Sequence, residues 1–115
     1  DTDVLIDSFK GDPREIRGHF VTCISLYEFL RGLAFLGKDV NEFKAWIEAN
    51  MNVVCIDNKA VKTASRIYAE LRKEGNLIED PDLLIASICI ANGLALRTGN
   101  RKHFERLEKF GLKLV

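Results

Sequence analysis

Asp1, Glu28, Asp82 and Asn100 are the side chains whose types and positions invite chemistry. Glu28, Asp82 and Asn100 stand beside the ends of apolar segments, and Asp1 would end a strand if residues precede it. Glu28 follows the β-rich run 19–24, Asn100 follows 94–97, Asp82 opens the apolar run 83–91, and Asp1 precedes the first helix. In folds built on parallel strands, working sites lie beyond the carboxyl ends of the strands. Asp3 and Asp80 lie next to two of these positions. Carboxylates gathered at one spot repel each other and raise each other's pKa. A divalent cation relieves that repulsion, and an all-oxygen donor set suits Mg²⁺ or Mn²⁺.

Plainer readings stand beside these. Ser25-x-x-Glu28 fits a capping box, in which Glu28 only reaches back to the Ser25 backbone N–H. Asp1 reads equally as a frayed end, Asp3 as a helix cap, and Asn100 as a turn residue. Asp82 alone reads as decoration of a helix N-terminus. His19 and His103 are lone histidines of the structural kind, and Arg97, Arg101 and Lys102 suit a solvated face.

The elements that must position these residues centre on 80–93. Asp80 suits an N-cap, Pro81 the first helical position and Gly93 a left-handed stop. Between them apolar residues point in nearly every direction, which predicts a buried helix. Upstream, Thr2–Lys10 reads as a helix, with a strand at 4–6 as the competitor and Gly11 as a stop. A turn at Asp12-Pro13 leads to one helical turn at 14–17 and a strand at 19–24. Helices at 25–36 and 40–49 form a hairpin, the first with Leu26, Phe29, Leu30, Leu33 and Ala34 inward. A short buried strand at 53–56 precedes a helix at 58–74, capped by Asp57, with Val61, Ala64, Tyr68 and Leu71 on the helical period. A strand at 94–97, a helix at 101–109 and a strand at 112–115 close the chain. Strands alternating with helices predict an α/β fold with a mostly parallel sheet.

Composition narrows the classes. A length of 115 residues suits one domain and one core. Lys+Arg and Asp+Glu are both 17, so phosphate binding needs a local basic patch. Cys23, Cys55 and Cys89 are odd in number and form no CxxC pair, which argues against a zinc site or a disulfide framework and suits a reducing cytoplasm. No apolar stretch approaches the roughly 20 residues of a membrane span.

Four segments, taken in order, resemble the PIN-domain ribonucleases, and most closely the VapC-type toxins of prokaryotic toxin–antitoxin pairs. They are Asp1-Thr2-Asp3-Val4-Leu5-Ile6-Asp7, Ile24-Ser25-Leu26-Tyr27-Glu28-Phe29, Asp80-Pro81-Asp82-Leu83-Leu84-Ile85-Ala86 and Thr98-Gly99-Asn100-Arg101-Lys102-His103-Phe104. Each is weak alone; their order and spacing across nearly the whole chain are specific. The resemblance implies a PIN-like three-layer α/β/α sandwich with a mostly parallel central sheet, a single domain over 1–115, with a first strand expected upstream of Asp1. It implies that Asp1, Glu28 and Asp82 hold Mg²⁺ or Mn²⁺, with Asn100 completing the catalytic set. The family often has a further acid at the fourth motif. Here that position is Asn100, and the alternative acid three residues later falls on His103, so a single, less tightly held ion is expected.

The implied activity is endoribonucleolytic. The ion polarises the scissile phosphate and acidifies a water that attacks in line, leaving a 5′-phosphate and a 3′-hydroxyl. Thr98 and Asn100 orient water or phosphate, while Arg97, Thr98, Arg101, Lys102 and Lys59 meet the RNA backbone. Specificity comes from unpaired RNA loops. The implied partners are a small antitoxin seated near the helical hairpin and a second copy of the chain, in the cytoplasm and away from any membrane. Two other readings compete. One is a PIN fold that binds RNA or protein without cleaving. The other is a haloacid-dehalogenase-type phosphatase, suggested by Asp1-Thr2-Asp3, whose later Lys and paired acids have no convincing place here.

Overall fold

A computed structural model describes all 115 residues, which divide into two compact units, Asp1–Cys55 and Ile56–Val115. In the first unit, the Asp1 carboxylate accepts from the Val4 N–H and starts helix α1 (Thr2–Lys10). A 3-10 turn, Pro13–Ile16, follows; Asp12 caps it by accepting from the Arg14 N–H. Strand β1 (Phe20–Thr22) runs into helix α2 (Cys23–Phe35) without a loop. Asp39 caps helix α3 (Val40–Asn50), and strand β2 (Asn52–Val54) then pairs parallel to β1, with Thr22 opposite Val54.

The buried apolar residues of this unit come from every helix and from β1: Leu5, Ile16, Val21, Leu26, Phe29, Leu33 and Ile47. Phe9 stacks on Phe29 at 5.0 Å and meets Phe43 and Trp46 edge-on. Full burial of such an aliphatic or Phe side chain contributes about 1.5–3 kcal/mol, and each aromatic pair about 0.5–1.5 kcal/mol more. This cluster holds α1, α2 and α3 in place.

Several boundaries differ from expectation. The strand expected at 19–24 is shorter, because the Thr22 hydroxyl accepts from the Ser25 N–H and turns Cys23 and Ile24 into the first helical turn. Ser25 is therefore inside α2 and does not cap it. Ala34, expected inward, is exposed. The strand expected buried at 53–56 is Asn52–Val54, with Asn52 and Val53 exposed; successive side chains point to opposite faces, so neither face of this two-stranded ladder is fully covered there. The cysteine expectation is corrected too: Cys23 and Cys55 form a disulfide, with Cα atoms 5.0 Å apart. The two residues extend the β1–β2 register by one step, so the ladder itself delivers them to bonding distance.

In the second unit, the Asp57 carboxylate accepts from the Ala60 N–H at 2.8 Å and starts helix α4 (Asn58–Lys73). Its buried face is Ala60, Ala64, Ile67 and Leu71, while Val61 and Tyr68, expected inward, are exposed. Helix α5 (Asp80–Asn92) packs against α4 and is apolar around most of its circumference. Leu83, Ile85, Ala86, Ser87, Ile88 and Cys89 are all buried, and the Ser87 hydroxyl is satisfied by the Leu83 carbonyl. The N-cap is Glu79 rather than Asp80, with no side-chain cap bond; Asp80 is the first helical residue. Gly93 takes the left-handed conformation, φ 65°, that ends α5 as expected.

Strand β3 (Ala95–Leu96) then pairs parallel with β4 (Lys113–Leu114). Between them, helix α6 (Arg101–Phe104) tightens into a 3-10 segment, Glu105–Phe110, instead of continuing as one helix. Buried Phe104 and Leu107 anchor this passage. Both strand pairings in the chain are parallel.

Candidate functional site

The carboxylates singled out above fall in pairs of contacts, one set in each unit. In the first unit, Asp1 is the N-cap of α1, and Thr2 beside it donates its hydroxyl to Glu28 Oε1 at 2.7 Å. The chain start is thus tied to the second turn of α2, and Asp1 and Glu28 are neighbours through Thr2. Glu28 is partly buried, and its other oxygen lies 3.7 Å from the Arg31 guanidinium. The capping-box alternative fails: Glu28 bonds to Thr2, and α2 takes its cap from Thr22. Asp3 is exposed on the first turn of α1.

In the second unit, Asp82 sits in the first turn of α5, half-buried, and its Oδ2 accepts from His103 Nε2 at 2.8 Å. The bond places the ring proton on Nε2, since a carboxylate only accepts. His103 is held in turn: its ring packs edge-on to Phe104, and its carbonyl accepts from Arg106 Nε. The Thr98 hydroxyl is buried and accepts from the Asn100 N–H at 3.0 Å. Asn100 caps α6 without a side-chain bond to it. Arg97, Arg101 and Lys102 are exposed around this turn, and Lys59 is exposed on the first turn of α4. His19 is exposed in the first unit, outside these contacts.

Neither unit alone gathers three or more His, Cys, Asp or Glu side chains able to hold a metal ion. The donor chemistry of Asp1, Glu28 and Asp82 is all carboxylate oxygen, which fits Mg²⁺ or Mn²⁺ rather than a soft metal. Two participants went unrecognised in the sequence. Thr2 carried no signal beyond its place after Asp1. His103 lay at the right spacing after Asn100, but a lone histidine gave no reason to pair it with Asp82.

The α2–α3 hairpin also carries a shallow apolar groove, lined by Cys23, Leu26, Tyr27, Leu30, Ala34 and Val40, with Arg31 at its edge. Beside it Phe35 and Leu36 are almost bare, 91% and 68% exposed. No helix is long and apolar enough to cross a membrane.

Parallel strand pairs connected through helices make the chain an α/β protein, and comparison with known proteins identifies its family. The chain matches the PIN domain over residues 1–109 and belongs to the PIN-domain family. It is 42% identical to Ribonuclease VapC1 of Methanocaldococcus jannaschii, over 99% of this chain and 83% of that protein. Its fold is that of the toxin–antitoxin structures VapBC-1 from nontypeable Haemophilus influenzae, with TM-score 0.81, 23% identity and 99% and 92% of the two chains covered. DNA-bound VapBC from Salmonella typhimurium is similar, with TM-score 0.81, 26% identity and 100% and 93% covered. The α/β PIN fold expected from the sequence is therefore the fold of this chain.

Proposed function

We propose that the chain is the endoribonuclease toxin of a type II toxin–antitoxin pair, working as one PIN domain. The observation that carries this is 42% identity to a VapC ribonuclease across 99% of the chain. In this reading Asp1, Glu28 and Asp82 hold Mg²⁺ or Mn²⁺. When bound, the ion supplies charge to offset the scissile phosphate and lowers the pKa of water.

The chain's own residues do the remaining work. Thr2 holds Glu28 by its hydroxyl, and His103 holds Asp82 by Nε2–H. Asn100, with a side chain uncommitted to capping α6, is placed to orient water or a phosphate oxygen, and Thr98 shapes the turn beneath it. Arg97, Arg101, Lys102 and Lys59 are exposed cations suited to an RNA backbone. The neutral overall charge means that contact with RNA must come from such a patch.

The groove on the α2–α3 hairpin is the seat of the small antitoxin, since apolar residues line it and Phe35 and Leu36 stand bare beside it. A second copy of the chain completes the functional dimer, in the cytoplasm. The deciding experiment is a Mg²⁺ titration followed by cleavage of structured RNA, with EDTA as the control. Cleavage that rises with Mg²⁺ and yields 5′-phosphate ends is the expected result. Tight RNA binding without cleavage at any metal concentration would establish the binding-only reading.

A further inference from the structure

The Cys23–Cys55 pair is independent of the nuclease reading and stands on its own geometry. Cys23 is the first residue of α2, directly after the Thr22 cap, and is half-buried in the wall of the hairpin groove. Cys55 follows the last residue of β2 and is exposed. The β1–β2 register brings the two together without help from the bond, so the protein can hold them adjacent whether bonded or reduced. The third cysteine, Cys89, is buried in α5, and burial pushes its thiol pKa up, which keeps it unreactive.

We propose that Cys23–Cys55 is a reversible thiol–disulfide exchange site that locks and releases the α2–α3 hairpin. The co-reactant is a low-molecular-weight thiol and its disulfide, or a dithiol reductant. Its thiolate attacks the accessible sulfur of Cys55, and a new S–S bond forms there. The Cys23–Cys55 bond breaks, and its electron pair leaves on Cys23 Sγ. The departing Cys23 thiolate sits at the N-terminal turn of α2, where the helix dipole favours negative charge, making Cys23 the better leaving group. A second thiolate attacks the reductant's sulfur in the mixed disulfide and releases Cys55 as a thiolate. The net change is two electrons to the protein and one disulfide formed from two reductant thiols. Oxidation runs the same steps backwards.

The bond closes a loop with a sequence separation of 32 that contains α2, α3 and β2. Oxidised, this segment is fastened at both ends. Reduced, the end of β2 is held by a three-residue ladder, and Cys23 presents a thiol to the groove.

The test uses the whole chain, without denaturant, in glutathione buffers from reducing to oxidising, with acid quench, alkylation and peptide mapping. Expected is one two-electron transition, a transient glutathione adduct on Cys55, and Cys89 unalkylated throughout. The melting temperature of the parent should rise on oxidation, on the order of 10 °C. Cys55→Ser should abolish that rise and Cys89→Ala should keep it. A bond that never forms in the folded chain, or opens only after unfolding, overturns the proposal, as does an adduct mapping to Cys23. A melting temperature indifferent to oxidation overturns it as well.

Discussion

Asp82 is the residue on which the two readings of the site differ most. It lies in the first turn of α5, where the helix dipole favours its negative charge by about 0.3–1 kcal/mol, and it accepts from His103. Asp82→Asn removes the charge but keeps a side-chain oxygen for His103. If Asp82 faces a cation with Asp1 and Glu28, losing the charge relieves repulsion in the metal-free protein. The variant should then melt in EDTA at or above the parent's temperature, gain nothing from Mg²⁺, and cleave no RNA. Melts with EDTA and with Mg²⁺, beside a cleavage assay, decide it. A variant that melts lower in EDTA and cleaves at the parent's rate removes Asp82 from the site. Glu28 and Asp82 were legible in the sequence because each lies beside an apolar run, and Asp1 because it opens the first of the four ordered motifs. Their partners were not. Thr2 is 26 positions from Glu28 and His103 is 21 from Asp82, and no local pattern encodes contacts of that span.

At the scale of elements, α4 shows where periodicity stops being informative. Val61, Ala64, Tyr68 and Leu71 satisfy the helical period, but so do Ala60, Ala64, Ile67 and Leu71. The two stripes share Ala64 and Leu71 and differ by a rotation of one residue. Packing against α5 selects the second stripe, leaving Ile67 2% and Val61 49% exposed. Ile67→Ala should therefore cost about 2–5 kcal/mol through the cavity it leaves, whereas Val61→Ala should stay within roughly 0.5 kcal/mol. Urea unfolding of the two variants checks the phase of the helix; equal losses would return Val61 to the interior. Helix α5 was legible because it is apolar all round and ends in Gly93, a signal no rotation can confuse. The start of α2 was misjudged for a different reason. The run 19–24 is β-rich throughout, and only the hydroxyl of Thr22 reaching the Ser25 N–H cuts the strand short. The Cys23–Cys55 bond had no local signature either, since it follows from the register of a parallel ladder.

At the scale of the molecule, the proposed ligands are shared out, with Asp1 and Glu28 in one compact unit and Asp82 and Asn100 in the other. The proposed ligand set makes a chemical demand: the ion that meets Asp1 and Glu28 must also meet Asp82. Fe²⁺ substituted for Mg²⁺, with ascorbate and peroxide, generates hydroxyl radicals that cut the backbone near the ion. The cuts should cluster around three distant stretches at once, near Asp1, Glu28 and Asp82. Cuts near only one of these stretches would leave the acids to their local roles as caps and hydrogen-bond acceptors.

The covalent link between Cys23 and Cys55 also makes part of the chain mechanically invisible. A pull on the two termini loads the polypeptide through the sulfur bridge, and the loop between the cysteines, with its helices α2 and α3, never comes under tension. A sequence separation of 32, at about 3.3–3.6 Å per residue, amounts to about 110 Å of hidden length. Single-molecule stretching of the oxidised chain should therefore stop short of the reduced chain by that distance, in one increment that appears when a thiol reductant is added to the cell. Full extension without reductant would show that no such tether exists. A protease or unfoldase that threads the chain meets the same obstacle, at Cys23 from the N-terminus and at Cys55 from the C-terminus, since it must admit more than one strand at once until the bridge is cut.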